Sequence, residues 1–150
     1  MTKINMIKRT VFSLLVITLT VLSLNNAFSY SAAPGVPKVT ASANQKSYSP
    51  GETGYFTLHF KTTDHVKIPK DPNVIVTVNG VSNDGIEDYS GEPGDYINSG
   101  KVKVKFTVPS DAVSGSKIKV NGAVKFGYCS TDDGTCRLAK KEYSFNIKVK

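Results

Sequence analysis

Phe126-Gly127-Tyr128-Cys129-Ser130-Thr131-Asp132-Asp133-Gly134-Thr135-Cys136-Arg137 is the stretch on which the reading of this chain turns. It contains both cysteines of the protein, with six residues between them, around an Asp-Gly turn signal. Apolar residues alternate into it at Val124, Phe126 and Tyr128, and out of it at Tyr143, Phe145, Ile147 and Val149. Period-2 alternation on both sides of a turn predicts two antiparallel strands. The connection is longer than a two-residue hairpin, so a looped tip is expected in place of a tight type I′ turn. The two cysteines then face each other across that tip, within reach of a small-ring disulfide.

The same alternation recurs elsewhere in the chain. Phe56, Leu58 and Phe60 interleave with Thr57, His59 and Lys61, and Val74, Val76 and Val78 repeat the pattern. Val102, Val104, Phe106 and Val108 set against Lys101, Lys103 and Lys105 make the cleanest strand. Val39 to Ser42 is expected as a first edge strand, and Tyr48 to Gly54, with Pro50 and two glycines, as a turn. Lys61 to Pro72 reads as a polar loop. Ile118 and Val120 lead through Asn121-Gly122, expected to be a bulge or bend, into the strand that carries Cys129. Val81 to Gly100 has no periodicity, and a loop of that length inside one domain is more often functional or disordered than a mere connection. No helical period is found in these segments. About seven short alternating strands separated by Gly, Pro and Asn turns predict an all-β fold, an immunoglobulin-like β-sandwich of antiparallel strands, without the Trp of antibody domains.

The first residues read as an address. Lys3, Lys8 and Arg9 precede an apolar run from Val11 to Leu24, and Ala27-Phe28-Ser29 offers small residues for cleavage after Ser29. The expected organisation is a signal peptide over 1–29, a flexible leader over 30–36 and one domain over 37–150. Localisation is then periplasmic or secreted, with no stable membrane insertion after cleavage, and two cysteines in that compartment favour an oxidised pair. The net charge of the whole chain is +7. It falls to +4 with the three leader cations set aside, 16 basic residues facing 12 acidic ones. The excess lies as single lysines along strands, the pattern of solvated sheet faces, so no nucleic-acid partner is expected.

Other chemistry finds little to work with. Zinc needs ligands beyond two cysteines, and His59 and His65 have no ligand-like spacing to them, so neither metal nor cofactor is expected. There is no G-x-S-x-G run and no local Ser/His/Asp grouping for hydrolysis. Asp84, Glu87, Asp88, Glu92 and Asp95 read as a solvated loop. Tyr89 and Tyr96 in that loop are less easily explained, since polar loops need no aromatics; they are expected to anchor the loop or to cover something.

The order of these pieces resembles the periplasmic N-terminal domains of the DsbD family of thiol:disulfide interchange proteins. The resemblance rests on Cys129 to Lys150, on the strand Val102 to Pro109 and on the run Glu87-Asp88-Tyr89-Ser90-Gly91, with His65-Val66-Lys67-Ile68-Pro69 as a weaker match. It implies an immunoglobulin-like domain with a working cysteine pair on a late hairpin, Cys129 and Cys136. It also implies a cap loop, here Asp88, Tyr89 and Gly91, shielding that pair, and thioredoxin-like periplasmic proteins as electron donor and acceptor through mixed disulfides. The family usually has one residue fewer between the cysteines, and an aromatic followed by prolines where this chain has Arg137-Leu138-Ala139. The membrane and thioredoxin-like domains of the family have no counterpart in these residues.

Two functions follow as alternatives. One is a thiol:disulfide interchange module, a protein-disulfide oxidoreductase in the broad sense; the other is a secreted binding or structural domain whose bridge only staples a hairpin. For the first, Arg137 beside Cys136 favours its thiolate, and Asp132 and Asp133 after Cys129 disfavour the other. Cys136 is therefore expected to attack the partner and Cys129 to resolve the intermediate, as the resemblance also implies.

Overall fold

The computed structural model describes residues 35–87, 89 and 93–150. The signal peptide expected over 1–29 and all but the end of the expected leader lie outside them. The described residues form eight strands and no helix: β1 (Lys38–Ala43), β2 (Ser47–Tyr48), β3 (Thr53–Lys61), β4 (Val66–Lys67), β5 (Ile75–Asn79), β6 (Lys101–Thr107), β7 (Lys117–Ser130) and β8 (Cys136–Val149). One sheet has the order β1-β3-β6; the other runs β2-β8-β7-β4, with β5 also paired to β7. The pairings are antiparallel except β2 with β8, which is parallel. The protein is thus an all-β sandwich of the immunoglobulin-like kind.

Alternation in sequence becomes a one-sided sheet face, because successive side chains of a strand point to opposite sides. On β3 the inward set is Phe56, Leu58 and Phe60; on β6 it is Val102, Val104 and Phe106. The facing sheet contributes Val76 from β5, Val120, Val124 and Phe126 from β7, and Tyr143 and Ile147 from β8. Aromatic rings join the layers. Phe56 lies 5.1 Å from Phe145 and 5.5 Å from Tyr143 between ring centroids, and Phe60 meets Phe126 edge-on at 4.9 Å. Such pairs add about 0.5–1.5 kcal/mol each beyond their buried area. Tyr48 is fully buried, and its hydroxyl donates to Asn44 Oδ1 at 2.6 Å and accepts from the Gln45 N–H at 3.0 Å, so no polar group is stranded.

Three expectations need correcting. Lys61 to Pro72 is not a plain loop: it contains β4, which pairs Val66 with Ser130 and Lys67 with Cys129. Val81 to Gly100 is partly ordered by backbone pairing. Asp84 and Glu87 donate N–H bonds to the Lys105 and Lys103 carbonyls at 2.9 and 2.8 Å, and Ile86 bridges Val104. Further on, Ile97 donates to Ile68 and Lys70 to Asp95, both at 2.9 Å, so this stretch lies beside β4. Finally, Asn121-Gly122 makes no bulge; the register runs unbroken through Asn121↔Ser144, Gly122↔Tyr143 and Ala123↔Glu142.

Gly122 is needed for a close approach instead. A Cβ there would collide with the carbonyl oxygen of Thr77 on β5. The bare position lets Tyr143 reach across β7 and donate its hydroxyl to that same carbonyl at 2.8 Å. Burial pushes the Tyr143 phenol up to about 12, from an ordinary value of 10.0. The protonated phenol is therefore retained longer in the fold than in the unfolded chain, so this contribution is intact below about pH 10 and is lost as pH rises from 10 to 12. Tyr143→Phe is expected to cost about 1–2 kcal/mol in urea unfolding at pH 7. The gap between variant and parent should narrow between pH 10 and 12; a gap constant across that range would contradict the burial argument.

Candidate functional site

Cys129 and Cys136 close β7 and β8 at their hairpin end. Ser130 donates its N–H to the Thr135 carbonyl at 2.9 Å, which makes the preceding register pair, Cys129↔Cys136, a site without ladder bonds, where side chains come closest. Their Cα atoms are 4.0 Å apart and the sulfurs are bonded. The expected looped tip is present over 131–135. Gly134 takes φ +68°, which favours glycine, and donates to the Ser130 carbonyl at 3.1 Å. Asp133 Oδ1 accepts from the Thr135 N–H at 3.0 Å and from its hydroxyl at 2.7 Å, which holds the Asp133 carboxyl below the usual carboxylate range.

The tip is also tied from outside the hairpin. The His65 carbonyl accepts the Thr131 N–H at 2.9 Å, and His65 Nδ1 sits 2.7 Å from Asp132 Oδ1. His65 thus serves the hairpin from the β3–β4 connection, and Asp132 is engaged there, so its charge is not simply one turned toward Cys129. Both side chains are largely exposed, so the pair itself is worth at most about 1 kcal/mol.

The two sulfurs have unequal surroundings. Cys129 is 5% exposed, in the middle of the sheet with β4 on its far side, whereas Cys136 is exposed at the start of β8. Arg137 follows Cys136 on the strand and pairs with Tyr128, so alternation carries its side chain to the opposite face from Cys136. The cation placed on the sulfurs' own face is Lys67, the direct cross-strand neighbour of Cys129. Its Nζ rests 5.3 Å from the centroid of the Tyr96 ring. Sequence patterning missed Lys67, because a two-residue strand has no period to detect.

Of the expected cap residues, Asp88 and Gly91 lie outside the described residues. Tyr89 is half-buried, packs against the core and accepts a hydrogen bond from the Val74 N–H through its hydroxyl at 3.0 Å. That anchors the loop beside β5. Glu87, two residues earlier in sequence, forms a 3.0 Å ion pair with Lys103 on β6. Tyr96 covers Lys67, one strand away from Cys129. Among the described residues, no group of three or more His, Cys, Asp or Glu is arranged to hold a metal ion. No helix among them is long and apolar enough to cross a membrane.

No family model matches the chain, and no curated protein matches it. Among solved structures, the sixth cohesin of scaffoldin B from Acetivibrio cellulolyticus, solved in complex with a Cel5 dockerin mutant, is similar over 77% of this chain and 100% of its own. The identity is 13% and the TM-score 0.35.

Proposed function

We propose that this domain is an exported thiol:disulfide exchange module, working through Cys129 and Cys136 in the periplasm or outside the cell. The observation that carries the reading is the inequality of the two cysteines: Cys136 is an exposed residue at the start of β8, while Cys129 is 5% exposed inside the sheet. Exchange begins when a donor thiolate attacks the Cys136 sulfur, forming a mixed disulfide and releasing Cys129 as thiolate. The donor's second thiolate then breaks that mixed disulfide, leaving the domain with two thiols and the donor oxidised. In the onward direction the Cys136 thiolate attacks an acceptor disulfide. Cys129 then attacks Cys136, restoring the bridge and expelling the acceptor as a dithiol, so two electrons have passed. Thioredoxin-like proteins with paired cysteines fit both roles.

A structural bridge is the competing reading, and one observation favours it. The cysteines are register partners on a long ladder, and closing an eight-residue loop in the unfolded chain is worth roughly 2.5 kcal/mol. Equilibration with thiol redox buffers separates the two. A reduction potential well above about −300 mV is expected for exchange, and one below that value would make the bridge a staple.

A further inference from the structure

The outer face of the β7–β8 sheet carries two large aliphatic side chains in water: Leu138, two residues from Cys136, is 77% exposed, and Ile75, opposite Lys125, is 59% exposed. They flank a groove of about 370 Å³ whose lining also includes Pro72, Lys125, Ala139 and Lys140. The groove is built by local sequence. Ile75 occupies the outward position between inward Val74 and Val76. Gly127, opposite Leu138, has no side chain, and Pro69 and Pro72 fold onto it; an added Cβ would meet Pro69 Cγ at 3.1 Å. Leu138, at the edge of the groove, is two residues from Cys136 on the same side of β8, about 7 Å along the strand.

The charges on this face call for a counterpart. Lys125 and Lys140 are direct cross-strand partners, and Ile75 stands opposite Lys125 on the other side. Like charges directly opposite on one face are destabilising. Neither lysine belongs to any of the ion pairs among the described residues. Glu142, the carboxylate nearest along that side of β8, stands opposite Ala123 instead.

We infer that this face docks the thiol partner through an extended segment in which a cysteine, an apolar residue and a carboxylate recur at every second position. Such a segment, laid along β8, sets its cysteine over Cys136, its apolar side chain over Leu138 and its carboxylate between Lys140 and Lys125. The inference rests on the exchange reading for what the partner does there, but the docking is tested without it. The probe is the peptide Ser-Thr-Leu-Thr-Glu-Thr-Thr, with serine in place of the cysteine, compared with its Lys-for-Glu counterpart. Both are added at millimolar concentration to the oxidised ¹⁵N-labelled domain at low salt. The acidic peptide is expected to shift the amide resonances of Ile75, Lys125, Leu138 and Lys140, and the basic one to leave them in place. The shifts should disappear in a Lys125→Glu/Lys140→Glu variant and shrink in Leu138→Ser, both at exposed positions whose folding is checked by the unchanged remainder of the spectrum. Equal shifts from both peptides, shifts elsewhere, or none would overturn the docking face. In a separate arm the cysteine forms of the peptides reduce the bridge. About tenfold faster reduction by the acidic peptide, abolished in the double lysine variant while dithiothreitol reduces both proteins alike, supports steering by this face. Equal rates for the two peptides overturn it. A bridge that resists dithiothreitol, with the amide shifts present, removes the exchange reading and leaves a binding face.

Discussion

With Cys129 replaced by alanine, the domain is expected to accumulate a mixed disulfide through Cys136 when mixed with a disulfide-bonded partner or a small aromatic disulfide. Cys136 keeps its exposed place at the start of β8 and attacks as before, but no second sulfur remains to resolve the product. Cys136→Ala leaves only Cys129, 5% exposed and flanked by β4 and β8. Thiol exchange needs in-line access to the sulfur as well as thiolate, so capture through Cys129 should be at least about tenfold slower. Mass spectrometry of the adducts, with thiol-alkylation rates as a control for accessibility, reads the difference. Equal capture by both variants would remove the division of labour between the two sulfurs. No capture by either, with a bridge that resists strong thiols, would leave the staple.

The second large effect concerns the fold. Gly122→Ala is expected to destabilise the domain by about 3 kcal/mol, at the upper end of what overpacking costs. The new methyl meets the Thr77 carbonyl, which is backbone and cannot rotate away, and Tyr143 donates to that same oxygen. Relief requires β5 to move off β7, which also disturbs the two bonds between Thr77 Oγ1 and the Ala123 backbone, at 3.1 and 3.2 Å. Thermal unfolding should show a Tm lower by roughly 10 °C. Gly35→Ala, where an added methyl meets nothing, is the control and should stay within about 0.5 kcal/mol of the parent. A Gly122→Ala protein as stable as that control would mean that β5 does not lie as close as described.

The long strands were legible because they carry a period: β3, β6, β7 and β8 each set apolar residues against polar ones over enough positions to be counted. β4 was not, since Val66 and Lys67 are paired by tertiary context alone. The same holds for Asp84 to Glu87 and for Asp95 to Ile97, where backbone bonds to β6 and to the β4 edge order a sequence rich in turn formers. Asn121-Gly122 gave a real signal with two physical meanings, a bulge or a close approach, and only the neighbouring strand separates them. At the bridge, the pairing of the cysteines across a looped tip was readable from spacing. The side chains around the bridge and its groove were not: Lys67 and His65 reach the hairpin end, and Ile75 the groove, from elsewhere in the chain. Ile75 did leave a trace, as an apolar residue at an outward position of an alternating strand. Arg137 shows a different limit, since residues adjacent in sequence take opposite faces of a strand.

The pairing of β7 with β8 also has a bearing on how the molecule assembles. Their ladder joins residues close in sequence, the bridge spanning a separation of only 7, whereas β3 must find β6 across the intervening β4 and β5, with His59 opposite Lys101. Local pairings close quickly and distant ones slowly, because the entropy of the enclosed loop must be lost first. The two thiols are therefore expected to meet before the distant strands pair. An oxidant acting early would meet a nascent hairpin whose sulfurs are both open. The burial that distinguishes Cys129 from Cys136 depends on β4 docking, so a bridge made at that early stage would acquire its two unlike ends only afterwards.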